Sequence, residues 1–503
     1  MECFRVGPSL CAALVAIALL AVSGPAEAVF WNPQGHGQAL VYPYYTVNGG
    51  QDTLVTLVNA GSDAKAVKVR FLEARNSRDV LDLDVYLAAG DVWTAAVTAD
   101  GDGARLVSRD GSCTVPEITT LPQQSIPFST ANFDGSSPLG SDGGPVTADR
   151  VREGTIEMIE MGVVTGASAV ALSPIRMDEE DAYSDWAGGP PSDCGRLRDA
   201  WAVGGYWDVE PTVDMAAPTG GLAGTAVIVN VGLGTVQGYV ADALGGFHAP
   251  GTGLRHTSPA ALTPNLSSGT SLAALTWPSG RPFTTSFARG IDAVTAVFMA
   301  SSIENDFWTT HALGARSEWV VTYPTKRFYT DPYYVGDAAQ APFPDVFAAP
   351  GRSCAPAFAF AGYAYDVARH TNTRELGLPY LVSEPRMCFA TQVVTFQQGE
   401  ATDPLDHAPD IPSDVLGSQL VAANFPSSFD NGRAVFSFGW GTDRLVATDG
   451  SIFVGQPVTG FLAAQFVNGS VGGALANYTV AMRHRVSAWC QRDAGNGTVE
   501  RCE

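Results

Sequence analysis

The sequence predicts a mostly β protein: two or three antiparallel β-sandwich domains of immunoglobulin-like type, with long loops and few short helices. Three observations carry that expectation. Gly (54) and Pro (32) are plentiful while charged residues make up only 16% of 503 positions, a composition suited to short strands and tight turns. Between residues 39 and 97, β-branched and aromatic runs alternate with polar residues and are cut by turn formers at a spacing of roughly eight to twelve residues. Six cysteines lie in the body of the chain, the even count of a disulfide-stapled fold.

Residues 1–28 read as a cleaved secretory signal. Arg5 supplies the positive start, Leu10 to Val22 is a nearly unbroken apolar run too short for an ordinary spanning helix, and Ala26 and Ala28 are the small residues a signal peptidase needs. Export places the remainder at the cell surface or in the extracellular space, with the periplasm as the alternative. Cys3 and Cys11 leave with the signal. The other six are expected to pair in sequence order, Cys113 with Cys194, Cys354 with Cys388 and Cys490 with Cys502. Zinc is the rival reading, but no pair has the C-x2-C spacing such sites use.

The segment 29–150 is the most regular module. Ala39 to Val47, Asp52 to Asn59, Ala66 to Glu73, Val80 to Leu87 and Asp91 to Val97 all read as strands. Val67, Val69 and Phe71 alternate with Lys68 and Arg70, which predicts a sheet with one wet face. The strand-Asn-Gly ending Leu57-Val58-Asn59-Ala60-Gly61 returns at Ile228 to Gly232 and at Phe466 to Gly469. Shared turn chemistry and related modules both explain the echo.

The middle module, 151–345, holds Arg152 to Val164, a strand or a short helix, and one turn of helix at Arg198 to Ala202. Strands are expected at Ala293 to Ser301 and Ser317 to Pro324. The C-terminal module, 346–503, starts with an excursion closed by Cys354–Cys388 and ends in strands at Ala434 to Phe438, Thr459 to Val467 and Ala476 to Val486. After the signal no apolar run is long enough for a membrane-spanning helix, and strand-like segments are too irregularly spaced for an outer-membrane barrel.

A formal charge of −22 opposes binding to nucleic acid and anionic headgroups. Gly-rich phosphate loops are missing, Gly269 to Ala273 lacks the second Gly of a nucleophile elbow, and the seven histidines form no metal-binding spacing. No cofactor is implied beyond a possible structural calcium, for which Asp100 and Asp102, or Asp178, Asp181 and Asp185, are candidates within acidic loops. Glu157, Glu160 and Glu318 sit among apolar residues and are the candidates for acid–base chemistry. The plainer alternative pairs them with Arg152, Arg316 or Arg327. Tyr42, Tyr44 and Tyr45, with Tyr329, Tyr333 and Tyr334, are candidates for stacking on a sugar or a partner protein, or for core packing.

Two segments, Phe71 to Asp82 (FLEARNSRDVLD) and Trp319 to Tyr329 (WVVTYPTKRFY), resemble signatures of an uncharacterised family of exported proteobacterial proteins, known as hypothetical or cell-surface proteins with no assigned activity. Gly460 to Asn468 and Arg483-His484-Arg485 are similar to its C-terminal part. The resemblance implies an envelope or extracellular setting and brings no catalytic residues. The expected role is therefore a non-enzymatic structural, adhesive or binding protein whose partner is an envelope polymer, a polysaccharide or another surface protein. A secreted polysaccharide hydrolase with paired carboxylates and a periplasmic envelope-assembly factor are the alternatives.

Overall fold

The computed structural model describes residues 28–173, 191–249, 255–276, 282–366, 371–373, 386–398, 413–427, 430–439, 444–493 and 499–501. Strand makes up 46% and helix 15%, arranged in several antiparallel sheets. The period-two runs fold as expected into the strands Ala39–Thr46, Asp52–Asn59, Lys65–Glu73, Asp79–Leu87 and Val92–Asp100.

Two sheets organise the first half. One has the strand order Phe30–Trp31, Asp242–Gly245, Ala39–Thr46, Glu153–Val164, Lys65–Glu73, Asp79–Leu87 and Cys113–Val115, with Met215–Ala216 also on Glu153–Val164. The other runs Thr235–Val240, Leu222–Asn230, Asp52–Asn59, Val92–Asp100, Gly103–Val107 and Ser125–Pro127. Their inward residues, among them Leu40, Val69 and Met158 from the first sheet and Val55, Trp93 and Leu106 from the second, form one core. Tyr42 reaches across this core to donate to the Thr56 carbonyl at 2.6 Å. Gly224 leaves it room, since a Cβ there would lie 1.8 Å from the Tyr42 hydroxyl.

Two five-stranded sheets lead the second half. One contains Ser302–Trp308 between Asn431–Ser437 and Arg485–Ser487, the other Ala315–Thr322 between Thr391–Gln398 and Thr459–Val471. Phe307, Trp319, Phe396, Phe436 and Leu462 fill the space between them. A small four-stranded sheet carries Ile452–Val454 and Trp489–Asp493.

Cystines join Cys113 to Cys194 and Cys354 to Cys388, so two bridges follow sequence order. Cys490 is also disulfide-bonded, while its expected partner Cys502 lies outside the described residues, as does the expected signal up to Glu27. Cystines of this kind belong to an oxidising, exported environment. Among the described residues no helix is long and apolar enough to cross a membrane.

One local reading is settled and two change. Arg152 to Val164 is a strand, Glu153–Val164, buried along its whole length between Ala39–Thr46 and Lys65–Glu73. Residues on both sides of position 150 therefore share one sheet. The predicted wet face of Lys65–Glu73 is covered: Lys68 and Arg70 stand opposite Asp84 and Asp82 on the neighbouring strand and donate to carbonyls of Ser258, Ala261 and Pro264. Period-two alternation separates apolar from polar faces, and a polar face sealed by ion pairs reads the same as one facing water. Third, Gly290–Phe298 is an α-helix where a strand was expected. Ile291 to Ala296 and Phe298 are all buried, so the helix is enclosed nearly all round, and that packing overrides the β preference of its Val and Thr.

Candidate functional site

The carboxylates singled out from the sequence are held in place by the fold. Glu157 accepts two N–H groups of Arg327 at 2.9 and 3.1 Å. Glu160 pairs with Lys65 at 2.8 Å and accepts the backbone N–H groups of Thr219 and Gly220. Glu318 accepts from the Ser413 hydroxyl and from the N–H groups of Val415 and Leu416. Burial pushes all three above the ordinary carboxyl range, and these donors pull in the opposite direction. Glu318 borders a polar hollow of about 310 Å³ with Asp414, His311 and Arg316 at its edge.

Glu157 belongs to a larger ionic layer. Arg150 forks onto Glu73 at 2.8 and 3.0 Å and onto Asp142, while Arg78 and Asn76 both donate to Asp331. Arg327 further donates to Asp79 and to the Ser77 carbonyl. The segments Phe71 to Asp82 and Trp319 to Tyr329 thus lie against each other. Arg70, Lys68, Asp82 and Asp84 continue the layer, where burial raises Asp82 to about 7 and Asp84 to about 6. Every charge in it is paired and shielded from solvent, which suits a structural role.

The tyrosines divide. Tyr42, Tyr44, Tyr45 and Tyr329 are core residues: Tyr44 donates to Glu153 and Tyr45 to the Val151 carbonyl, while Tyr329 donates to Asp292. Tyr333 and Tyr334 are exposed and meet edge to face at 5.0 Å. Asp100 pairs with Arg105 and Asp102 lies in the exposed turn beside it. Asp178, Asp181 and Asp185 lie outside the described residues, and among those described no three His, Cys, Asp or Glu side chains gather as metal ligands. His248, His256 and His484 are buried against the carbonyls of Glu160, Pro211 and Val320, and desolvation lowers each to about 4.

A second concavity was not foreseen from the sequence. A groove of about 570 Å³ opens between the chain start, the helix Gly290–Phe298 and the last strands. That volume lies within the range of small-ligand sites. Leu275, Val297, Phe298, Phe453 and Val458 are among its lining residues, and Trp31 and Trp489, 38% and 37% exposed, border it. Arg483 lies at the same place with its guanidinium 4.3 Å over the Trp31 ring, paired with Asp242, whose other oxygen accepts from Thr459. His484 also lines the groove, but its two ring nitrogens are engaged by the Val320 carbonyl at 2.9 Å and Asn305 at 3.1 Å. Among the described residues that line it there is no Asp or Glu. The arrangement can hold an apolar group against two indoles.

No protein family, curated protein or solved structure matches the chain.

Proposed function

We propose that the chain is an exported, non-enzymatic binding protein of the cell surface or extracellular space, related to the exported proteobacterial proteins it resembles. The observation that carries this reading is the tryptophan-bordered groove with its single Arg–Asp pair. Solvent-exposed indoles around a preformed hollow are what a binding site needs, because stacking and apolar burial supply affinity without chemistry. The ionic layer supports the same reading indirectly, since it employs Glu157 structurally.

The test joins location to binding. Cell fractionation should recover the protein outside the cytoplasm. The purified chain should bind envelope preparations saturably, and the double variant Trp31→Ala, Trp489→Ala should lose about tenfold or more in affinity with its near-ultraviolet circular dichroism unchanged. Recovery in the cytoplasm, or equal binding by the double variant, overturns the reading. A secreted hydrolase stays as the second reading because Glu318 borders the polar hollow with Asp414. Release of reducing sugar from envelope polysaccharide, abolished by Glu318→Gln, would favour it.

A further inference from the structure

We infer that the groove is a site for a long-chain carboxylate, with the acyl chain along the apolar wall and the head group at Arg483; this rests on the binding reading above. The wall sets the ligand's body. Ala274, Leu275, Val297, Phe298, Phe453 and Val458 present only carbon to the groove from their side chains. A sugar laid against them would leave hydroxyl groups desolvated and unpaired, which is costly, whereas a methylene chain loses nothing. His484 adds no free nitrogen, as both are bonded within the wall.

Arg483 sets the head. A guanidinium carries five N–H donors, and among the described residues its carboxylate partner is Asp242 alone. Its side chain is 44% exposed, whereas that of Asp242 is 2% exposed, so a ligand meets the cation and not the anion behind it. Trp31 lies 4.3 Å from the guanidinium carbon and steadies it by a cation–π contact, while the solvent-exposed part of the side chain can meet a planar carboxylate.

The mature chain with its disulfides intact is titrated with cis-parinaric acid, whose emission rises in an apolar site, and with its methyl ester. The acid should bind one to one, be displaced by palmitate, and bind about tenfold or more tighter than the ester, a difference typical of a charge-assisted pair. Arg483→Gln should bring the acid down to the affinity of the ester, and Arg483→Lys should restore part of the difference. Ala488→Trp, an exposed lining position, should abolish both by filling the groove. Equal affinity for acid and ester, or no effect of Arg483→Gln, overturns the head-group assignment. If neither probe binds but envelope binding still depends on Trp489, the ligand class is wrong and the binding reading stands. If neither probe binds and envelope binding ignores Trp31 and Trp489, both fall.

Discussion

Arg327 and Arg483 each face a buried carboxylate, yet their surroundings assign them opposite work. Arg327 and its partner Glu157 have side chains 4% and 2% exposed, and the arginine also serves Asp79 and the Ser77 carbonyl. Arg483 is open to solvent over Trp31 and serves Asp242. A pair sealed from water fixes the position of the elements that carry it. A pair at the lip of a hollow keeps capacity for something else. Charge and partner type are the same in both places, so accessibility separates structure from recognition.

The comparison breaks first at its buried end. Arg327→Met removes the cation bonded to Glu157 and one of the two beside Asp79, and should cost about 3–5 kcal/mol in urea unfolding. Adding Glu157→Leu should return a large share of that loss, because the penalty lies mainly in the stranded charge. A smaller effect of the single variant than of Arg483→Gln would reverse the assignment. His484, under the groove, comes next. Its folded value of about 4 lies below the ordinary 6.5, so as pH falls through that window the unfolded chain takes up a proton that the fold refuses. Up to about 3 kcal/mol of stability should be lost on this account by pH 4. His484→Gln should flatten that acid limb when unfolding is followed against pH. Asp84, raised to about 6, works in the opposite sense, adding stability as pH falls from about 6 towards its ordinary value, and Asp84→Asn should steepen the limb. The smallest effect belongs to the open end. Arg483→Lys should change stability by about 1 kcal/mol or less, since the side chain is half in water, while its ligand preference shifts measurably.

Much of the first half was legible because its strands have one apolar side, and a repeat of two survives any later covering. What covers the other side was not legible. Lys68 and Arg70 carry the same letters whether water or Asp84 and Asp82 face them. The helix Gly290–Phe298 was misread because Val294, Thr295 and Val297 favour strands locally, and burial nearly all round leaves no polar face to show a helical repeat. That misreading hid the groove, because the last turn of this helix supplies part of its wall. Trp31, Arg483 and Trp489 meet only through tertiary packing, so no spacing rule could join them. The sequential disulfides at Cys113–Cys194 and Cys354–Cys388 were legible because nearest-neighbour pairing was the simplest arrangement.

The buried strand Glu153–Val164 lies between two strands made much earlier, and Arg78 waits for Asp331. Synthesis proceeds in one direction, so Glu73, Asp82 and Asp84 meet Arg150, Arg70 and Lys68 within the early half, whereas Arg78 and Glu157 emerge long before Asp331 and Arg327. Closing contacts this distant in sequence is slow, because the intervening chain must give up its freedom first. The pairs of Arg78 and Glu157 are therefore the last of this layer to close, once the 326–331 stretch arrives.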